Sequence, residues 1–475
     1  MHEKITIHWF RSDLRIADNP SFSHACKNSH VIPVYIFEET KMDDFPLGRA
    51  SLTWLRRSLI LLDKKLSGKL LILRGDPLRT LKTLIKENNV KAVFWNRCYT
   101  PWRIARDSNI KTTLQAMGIE CCTFNGSVLR EPWEVLKDDG TPYKVFTPYY
   151  RKGCAEIDLP RLPLPAPKQI SYAKISRIKQ DPLEKTLIES KWQNKILRHA
   201  SIGEDNARKK LEKFLESGIS NYKKGRNFPS LEHVSKLAPN LHFGEISPNQ
   251  VLSAINSITT DENTDHFMSE LGWREFSYYL LYHFPQIAHK NLQRKFDAFP
   301  WVSNPKALND WQFGQTGIPM VDAGMRELWE TGSMHNRLRM IVGSFLVKNL
   351  LIDWRLGANW FWDCLFDADL ACNTAGWQWI AGCGADAAPY YRIFNPVLQG
   401  KRFDPKGEYI RQYVPELKKL ESRYLFSPWE APDSALYKAG VRLGKSYPYP
   451  IVNLSESRRT ALEAFKTLKQ NDSCL

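Results

Sequence analysis

The 475-residue sequence holds no apolar run long enough to cross a bilayer, so no transmembrane helix and no membrane partner are expected. Its nine cysteines (Cys26, Cys98, Cys121, Cys122, Cys154, Cys364, Cys372, Cys383 and Cys474) show neither a CxxC pair nor a zinc-ligand spacing. They read as reduced thiols, with no disulfide framework and no catalytic metal. No GxGxxG follows the first strand-like run, which removes the dinucleotide fingerprint and with it the support for nicotinamide chemistry. Internal repeats and low-complexity segments are also missing. The opening MHEKITIHWF enters a strand pattern without the charged and apolar regions of a secretory signal, so a cytoplasmic protein is expected, nucleoid-associated if bacterial.

Positive charge and tryptophan, by contrast, are abundant. Lysine and arginine exceed the acids by 16, a field that suits a polyanion such as nucleic acid and equally describes a solvated lysine-rich surface. The sixteen tryptophans, clustered after Trp273, fit a large helical core, or else stacking and electron transfer.

Short β-branched runs at Ile5–Phe10, Val31–Phe37, Lys69–Leu73, Ala92–Trp95 and Ile119–Phe124 alternate with helical stretches such as Ser51–Leu66. That alternation predicts a doubly wound parallel α/β domain over residues 1–130. Over residues 131–200 the periodicity fades, and the proline-rich Leu159–Pro167 suits neither a helix interior nor a central strand, so this stretch reads as the interdomain linker. Residues 201–475 read as an all-helical domain, with helices over Asn206–Leu215, His266–Tyr282, Val321–Trp329 and Arg337–Leu351. No amphipathic partner helix stands out, and a monomer is expected.

Three blocks concentrate reactive side chains. Asp367 to Trp379 sets two carboxylates, an amide and two indoles between apolar residues, and buried acids need partners. Arg337 and Arg339, within Ser333–Met340, are candidates for that role, either in a network that only braces two helices or in a binding site. Glu270, Trp273 and Arg274 share one helical face by the i, i+3, i+4 rule and could grip a base.

Taken together these blocks resemble the photolyase and cryptochrome family. The N-terminal Trp9-Phe10-Arg11-Ser12-Asp13-Leu14-Arg15 with Asp18-Asn19, and Tyr143-Lys144-Val145-Phe146-Thr147-Pro148, are similar to its opening and its interdomain entry. In the helical half Trp273–Phe276, Met334–Met340, Asp369–Asn373 with Gly376–Trp379, and Asp386–Pro396 are similar to its landmarks.

The resemblance implies a helical FAD-binding domain. In it Tyr222, Val234, Ser235, Lys236, Leu237, Ala238, Phe267, Arg339, Asp367, Ala368, Asp369 and Asn373 occupy cofactor positions, with Arg339 pairing Asp367. Where the family's phosphate loop carries further hydroxyls, this chain has Val234-Ser235-Lys236-Leu237-Ala238, so either backbone amides do that work, the favoured reading, or FAD binds less tightly. The implied activity is that of a deoxyribodipyrimidine photo-lyase, a carbon–carbon lyase driven by light, acting on UV-damaged DNA. Glu270, Asn336 and Asn373 are its implied catalytic residues; Arg226, Glu270, Trp273, Arg274, Asn336, Arg337, Met340, Trp379 and Gln399 meet DNA and the flipped-out dimer. Trp377, Trp354 and Trp301 match the electron relay.

Asn373 stands where plant-type cryptochromes typically carry Asp, and His335-Asn336 where (6-4) photolyases have a His-His pair. Both features favour cyclobutane dimer repair over the alternatives, a cryptochrome-type photoreceptor or a (6-4) photolyase. For the antenna chromophore, Trp102 and Arg103 align with a folate-contacting Asn-Glu pair, and 5,10-methenyltetrahydrofolate is expected there, with a deazaflavin or no chromophore as alternatives.

Overall fold

The computed structural model describes residues 4–27, 29–38, 45–175, 190–386 and 392–472. Five parallel strands form the N-terminal sheet: β1 (Ile5–Phe10), β2 (His30–Glu38), β3 (Leu71–Gly75), β4 (Ala92–Asn96) and β5 (Glu120–Phe124), in the order β3-β2-β1-β4-β5. Each expected strand is present, with ends displaced by at most two residues. A parallel sheet is covered on both faces, so alternate side chains of one strand feed two cores. Phe10, Val31, Ile72 and Phe94 pack on one face beneath α1 (Pro20–Ala25) and α2 (Arg49–Lys65). Ile7, Trp9, Val34 and Val93 pack on the other beneath α3 (Pro77–Asn88) and α4 (Pro101–Ala116).

The proline-rich stretch and its described neighbours are tied to the sheet. The Leu164 carbonyl and N–H exchange hydrogen bonds of 2.9 Å with the Asp18 N–H and carboxylate, and Tyr172 forms a parallel bridge with Val31. Phe146 stacks on Trp273 at 3.9 Å, so the entry motif packs directly against the helical half. Arg15, fully buried, donates to the carbonyls of Asp18, Gly126 and Gly244 and so joins the N-terminal α/β half to the helical half.

Four helices frame the interior of the helical half: α5 (Glu262–His283), α6 (Asn336–Ser344), α7 (Trp354–Cys364) and α8 (Leu370–Ala381). Helix α8 packs against the other three. At Gly357 a Cβ would meet the Trp377 ring at 2.2 Å, so α7 approaches α8 this closely only through glycine. The helix expected over Arg337–Leu351 stops at Ser344 and continues as a wider turn, Phe345–Asn349. Likewise Glu204–Lys213 gives way to a wide turn at Phe214–Gly218. Apolar periodicity does not distinguish the two windings, because both bury the same stripe. Among the described residues no helix is long and apolar enough to cross a membrane, and eight cysteines are free thiols.

Candidate active site

The four framing helices enclose a cavity of about 850 Å³, within the range of small-molecule sites. Its floor is built on Asp369, which caps α8 by accepting the Cys372 N–H at 2.9 Å. The Tyr278 hydroxyl donates to the same carboxylate at 2.7 Å, and His242 Nδ1 stands 3.6 Å away. Burial favours the neutral acid, but the His242 imidazole, the Cys372 N–H and the Tyr278 hydroxyl outweigh it and hold the carboxyl well below the usual carboxylate range. Burial pushes the Tyr278 hydroxyl well up, so it remains a donor.

Beside it, Arg339 Nη2 donates to both Asp367 oxygens at 3.0 and 2.9 Å, while its Nε donates to the Met334 carbonyl at 2.9 Å. Arg337 does not join this pair. Two positions on a helix project about 200° apart, and Arg337 instead bonds Asn227 and lies 4.3 Å over the Phe403 ring. Between them His335 caps α6, its Nδ1 accepting the Arg337 N–H at 3.1 Å. Burial, together with the charges of Arg226, Arg337, Arg339 and Lys236, lowers its pKa to about 3, so the ring is neutral. On α8 the Asn373 amide donates to the Ala358 carbonyl at 3.1 Å.

Nearer solvent, Arg226 and Glu270 form an ion pair, with His266 Nε2 2.9 Å from Arg226 Nη1. Trp273 lies flat on Phe146. Arg274 turns inward, with its side chain 12% exposed, pairing with Glu275 at 2.8 Å and stacking 4.7 Å from the Tyr278 ring. Glu275 in turn accepts the Leu129 N–H at 2.6 Å, which makes Arg274 an interior bracket between the domains.

Most of the residues expected in the site line this one cavity. Tyr222, Ser235, Leu237, Ala238, Phe267, Arg339, Asp367, Asp369 and Asn373 do so, together with Arg226, Glu270, Trp273, Arg274, Asn336, Arg337, Met340, Trp377 and Trp379. Val234 and Lys236 are not among its walls, and Ala368 is buried in the helical core. Gln399 borders a different cavity of about 310 Å³, with Asn349 and Phe394. Trp354 is buried, its indole N–H donating to Asn291 at 3.0 Å, and Trp301 packs on Phe299 at 4.4 Å. The rings in contact with Trp377 are Phe361 at 4.9 Å and Trp311 at 6.2 Å. In the block Asp386–Pro396, residues 387–391 lie outside the described residues, as does Cys474.

Trp102 and Arg103 line a separate interdomain cavity of about 80 Å³, with Phe45 stacked on Trp102 at 6.2 Å. That volume is a fraction of a small-molecule site, so the described walls do not enclose a pterin. The two cavities share Leu241, His242, Arg274, Tyr278 and Asp369.

Sequence reasoning missed Tyr278, His242 and His266 as site residues. His266 could have been found by extending the face of Glu270 one turn toward the N-terminus; Tyr278 and His242 carried no comparable signal.

Known proteins share this fold. Residues 6–168 match the family model described as DNA photolyase, and residues 267–467 the one described as the FAD binding domain of DNA photolyase. The chain is 44% identical over 471 residues to the deoxyribodipyrimidine photo-lyase of Agrobacterium fabrum, covering 97% of this chain and 98% of that one. It is 36% identical to cryptochrome-1 of Arabidopsis thaliana, covering 98% of this chain and 70% of that one. A bacterial class III photolyase from Agrobacterium tumefaciens superposes with a TM-score of 0.94 at 44% identity, covering 99% and 98% of the two chains. The cryptochrome of Synechocystis sp. PCC6803 superposes with a TM-score of 0.89 at 30% identity, covering 98% and 100%.

Proposed function

The chain belongs to the photolyase and cryptochrome family and carries its FAD-binding domain, and from that premise we propose that it repairs cyclobutane pyrimidine dimers in UV-damaged DNA with light, as a cytoplasmic monomer. One observation carries the reading. Glu270, Trp273, Asn336, Arg337, Met340 and Trp379, a set suited to a flipped-out dimer, line the same cavity as Asp367, Asp369 and Asn373.

The cavity fits FAD. Phe267, Leu271, Phe361 and Trp377 offer apolar surface to a ring system, and Ser235 offers a hydroxyl for a phosphate. Asp369, held ionised, can accept hydrogen bonds from a bound group. When bound, the flavin supplies electron donation driven by blue light.

The protein's own groups do the rest. Glu270 accepts the dimer's N–H edge and fixes its orientation in the cavity. Asn336 offers an amide whose two ends suit both carbonyl and N–H groups. Trp273, fixed against Phe146, and Met340 provide apolar walls that exclude water from the lesion. The excess of 16 positive charges draws in DNA without regard to sequence, and Arg226 and Gln399 add local contacts to it. Trp377, Trp354 and Trp301 pass electrons inward from the surface. For the antenna, a folate beside Trp102 and Arg103 requires the interdomain cavity to widen.

Blue-light treatment of an oligonucleotide carrying a cyclobutane thymine dimer, with chemically reduced protein, a dark control and a (6-4) substrate alongside, tests the reading. Loss of the dimer only in light is expected. No loss from reduced, FAD-loaded protein would make a photoreceptor the better account.

A further inference from the structure

Arg226, Glu270 and His266 form a closed triangle at the cavity wall. One guanidinium nitrogen, Nη1, serves both the Glu270 carboxylate and His266 Nε2. Arginine only donates, so His266 Nε2 is the unprotonated nitrogen of a neutral ring. His266 and Glu270 stand one turn apart on α5, with Nε2 3.9 Å from Oε1. The groups facing His266 come from two elements: Arg226, Tyr222 and Lys223 from the segment before α5, and Asp265 and Glu270 from α5 itself. Lys223 is already paired with Glu262 at 2.8 Å. Burial first, and then the Arg226 charge, hold the His266 pKa below its ordinary value, against the pull of Glu270.

A bidentate grip on a DNA phosphate that uses Nη1 competes with both of these bonds. If Arg226 turns to the backbone, Glu270 loses its counter-ion while still partly buried, and His266, with Nε2 3.9 Å from Oε1, is placed to replace it. The move removes a positive charge from beside His266 and brings a negative one closer, so both changes favour the protonated ring.

We propose that His266 is a positioning residue that trades places with Arg226. In the DNA-free protein Arg226 holds Glu270 and keeps His266 neutral; when damaged DNA binds, Arg226 passes to a phosphate and His266 takes a proton from solvent and aligns Glu270 on the dimer. The only bond formed is N–H at His266 Nε2. The inference rests on the repair reading and adds to it a proton linked to DNA binding.

Titration calorimetry in the dark tests it, using FAD-loaded protein and a duplex containing one thymine dimer, in two pH 7 buffers of different ionisation enthalpy. The difference in heat counts the protons. Wild type is expected to take up roughly half a proton or more per duplex. His266→Gln, which keeps an acceptor for Arg226, should abolish most of that uptake. Arg226→Gln, which relieves His266 of the guanidinium before DNA arrives, should lower it as well. Dimer-selective binding with no uptake in wild type, or with equal uptake in His266→Gln, would overturn the exchange and leave the repair reading standing. No preference for the dimer duplex over an undamaged one would overturn the repair reading, and the exchange with it.

Discussion

The Tyr278 hydroxyl donates to Asp369 across 2.7 Å, a bond that ties the C-terminal part of α5 to the N-cap of α8 at the floor of the cavity. It is one of the contacts that keep Asp369 ionised in a buried place, and it makes the stability of the helical domain sensitive to acid.

A carboxyl whose folded pKa lies below its unfolded value, near 4, contributes stability that is complete above that pH and is lost as the pH falls toward the folded value. Asp369→Asn should therefore cost on the order of 2 kcal/mol at pH 7 and much less at pH 3. Thermal unfolding at the two pH values measures the gap. An equal cost at both would assign the loss to packing in place of charge.

Arg339 holds Asp367 with Nη2 and the Met334 carbonyl with Nε, a pair of contacts that a lysine ammonium cannot reproduce together. Arg339→Lys is expected to weaken flavin retention by about tenfold, equivalent to roughly 1.4 kcal/mol. The flavin absorbance that survives gel filtration reports this directly.

Glu270 and Trp377 line one cavity but should fail in different assays. Glu270→Ala should lower the dimer repair yield while the protein keeps its FAD. Trp377→Phe should leave repair by chemically reduced protein largely intact and abolish light-driven flavin reduction, because Trp377 is the inner end of the expected relay. Trp301→Phe should show the same division at the outer end of the relay. Spectra under steady illumination, run beside the repair assay, separate the two defects.

Gly244 has φ +65°, and a Cβ there would stand 2.1 Å from the Ser12 carbonyl oxygen in the opposite domain. Its own carbonyl accepts from Arg15 at 2.9 Å. Gly244→Ala combines backbone strain with a clash across the domain boundary and should destabilise the protein by about 2 kcal/mol or more. A lowered Tm with faster proteolysis near the linker is the expected result; an unchanged Tm would mean that the domains part without cost.

Much of the architecture is local information. The run Ile5–Phe10 coincides with β1 residue for residue because a strand buried on both faces needs an unbroken apolar stretch. Asp369 was legible as a site residue because the block Asp367 to Trp379 sets two acids among apolar residues and resembles a family landmark. The wide turns after Ser344 and Lys213 were not legible, since their residues keep the helical apolar stripe.

The sequence by itself determined which segments are strands and helices, how they alternate, and which residue types gather in the helical half, because periodicity and caps act over a few neighbours. Only the tertiary structure decided the partners. Tyr278 and His242 converge on Asp369, Arg337 turns to Asn227, and Arg226 spans 44 residues to reach Glu270. Each of those choices depends on how far a helix is rotated about its axis and what crosses it, and that is set by packing between elements distant in the chain.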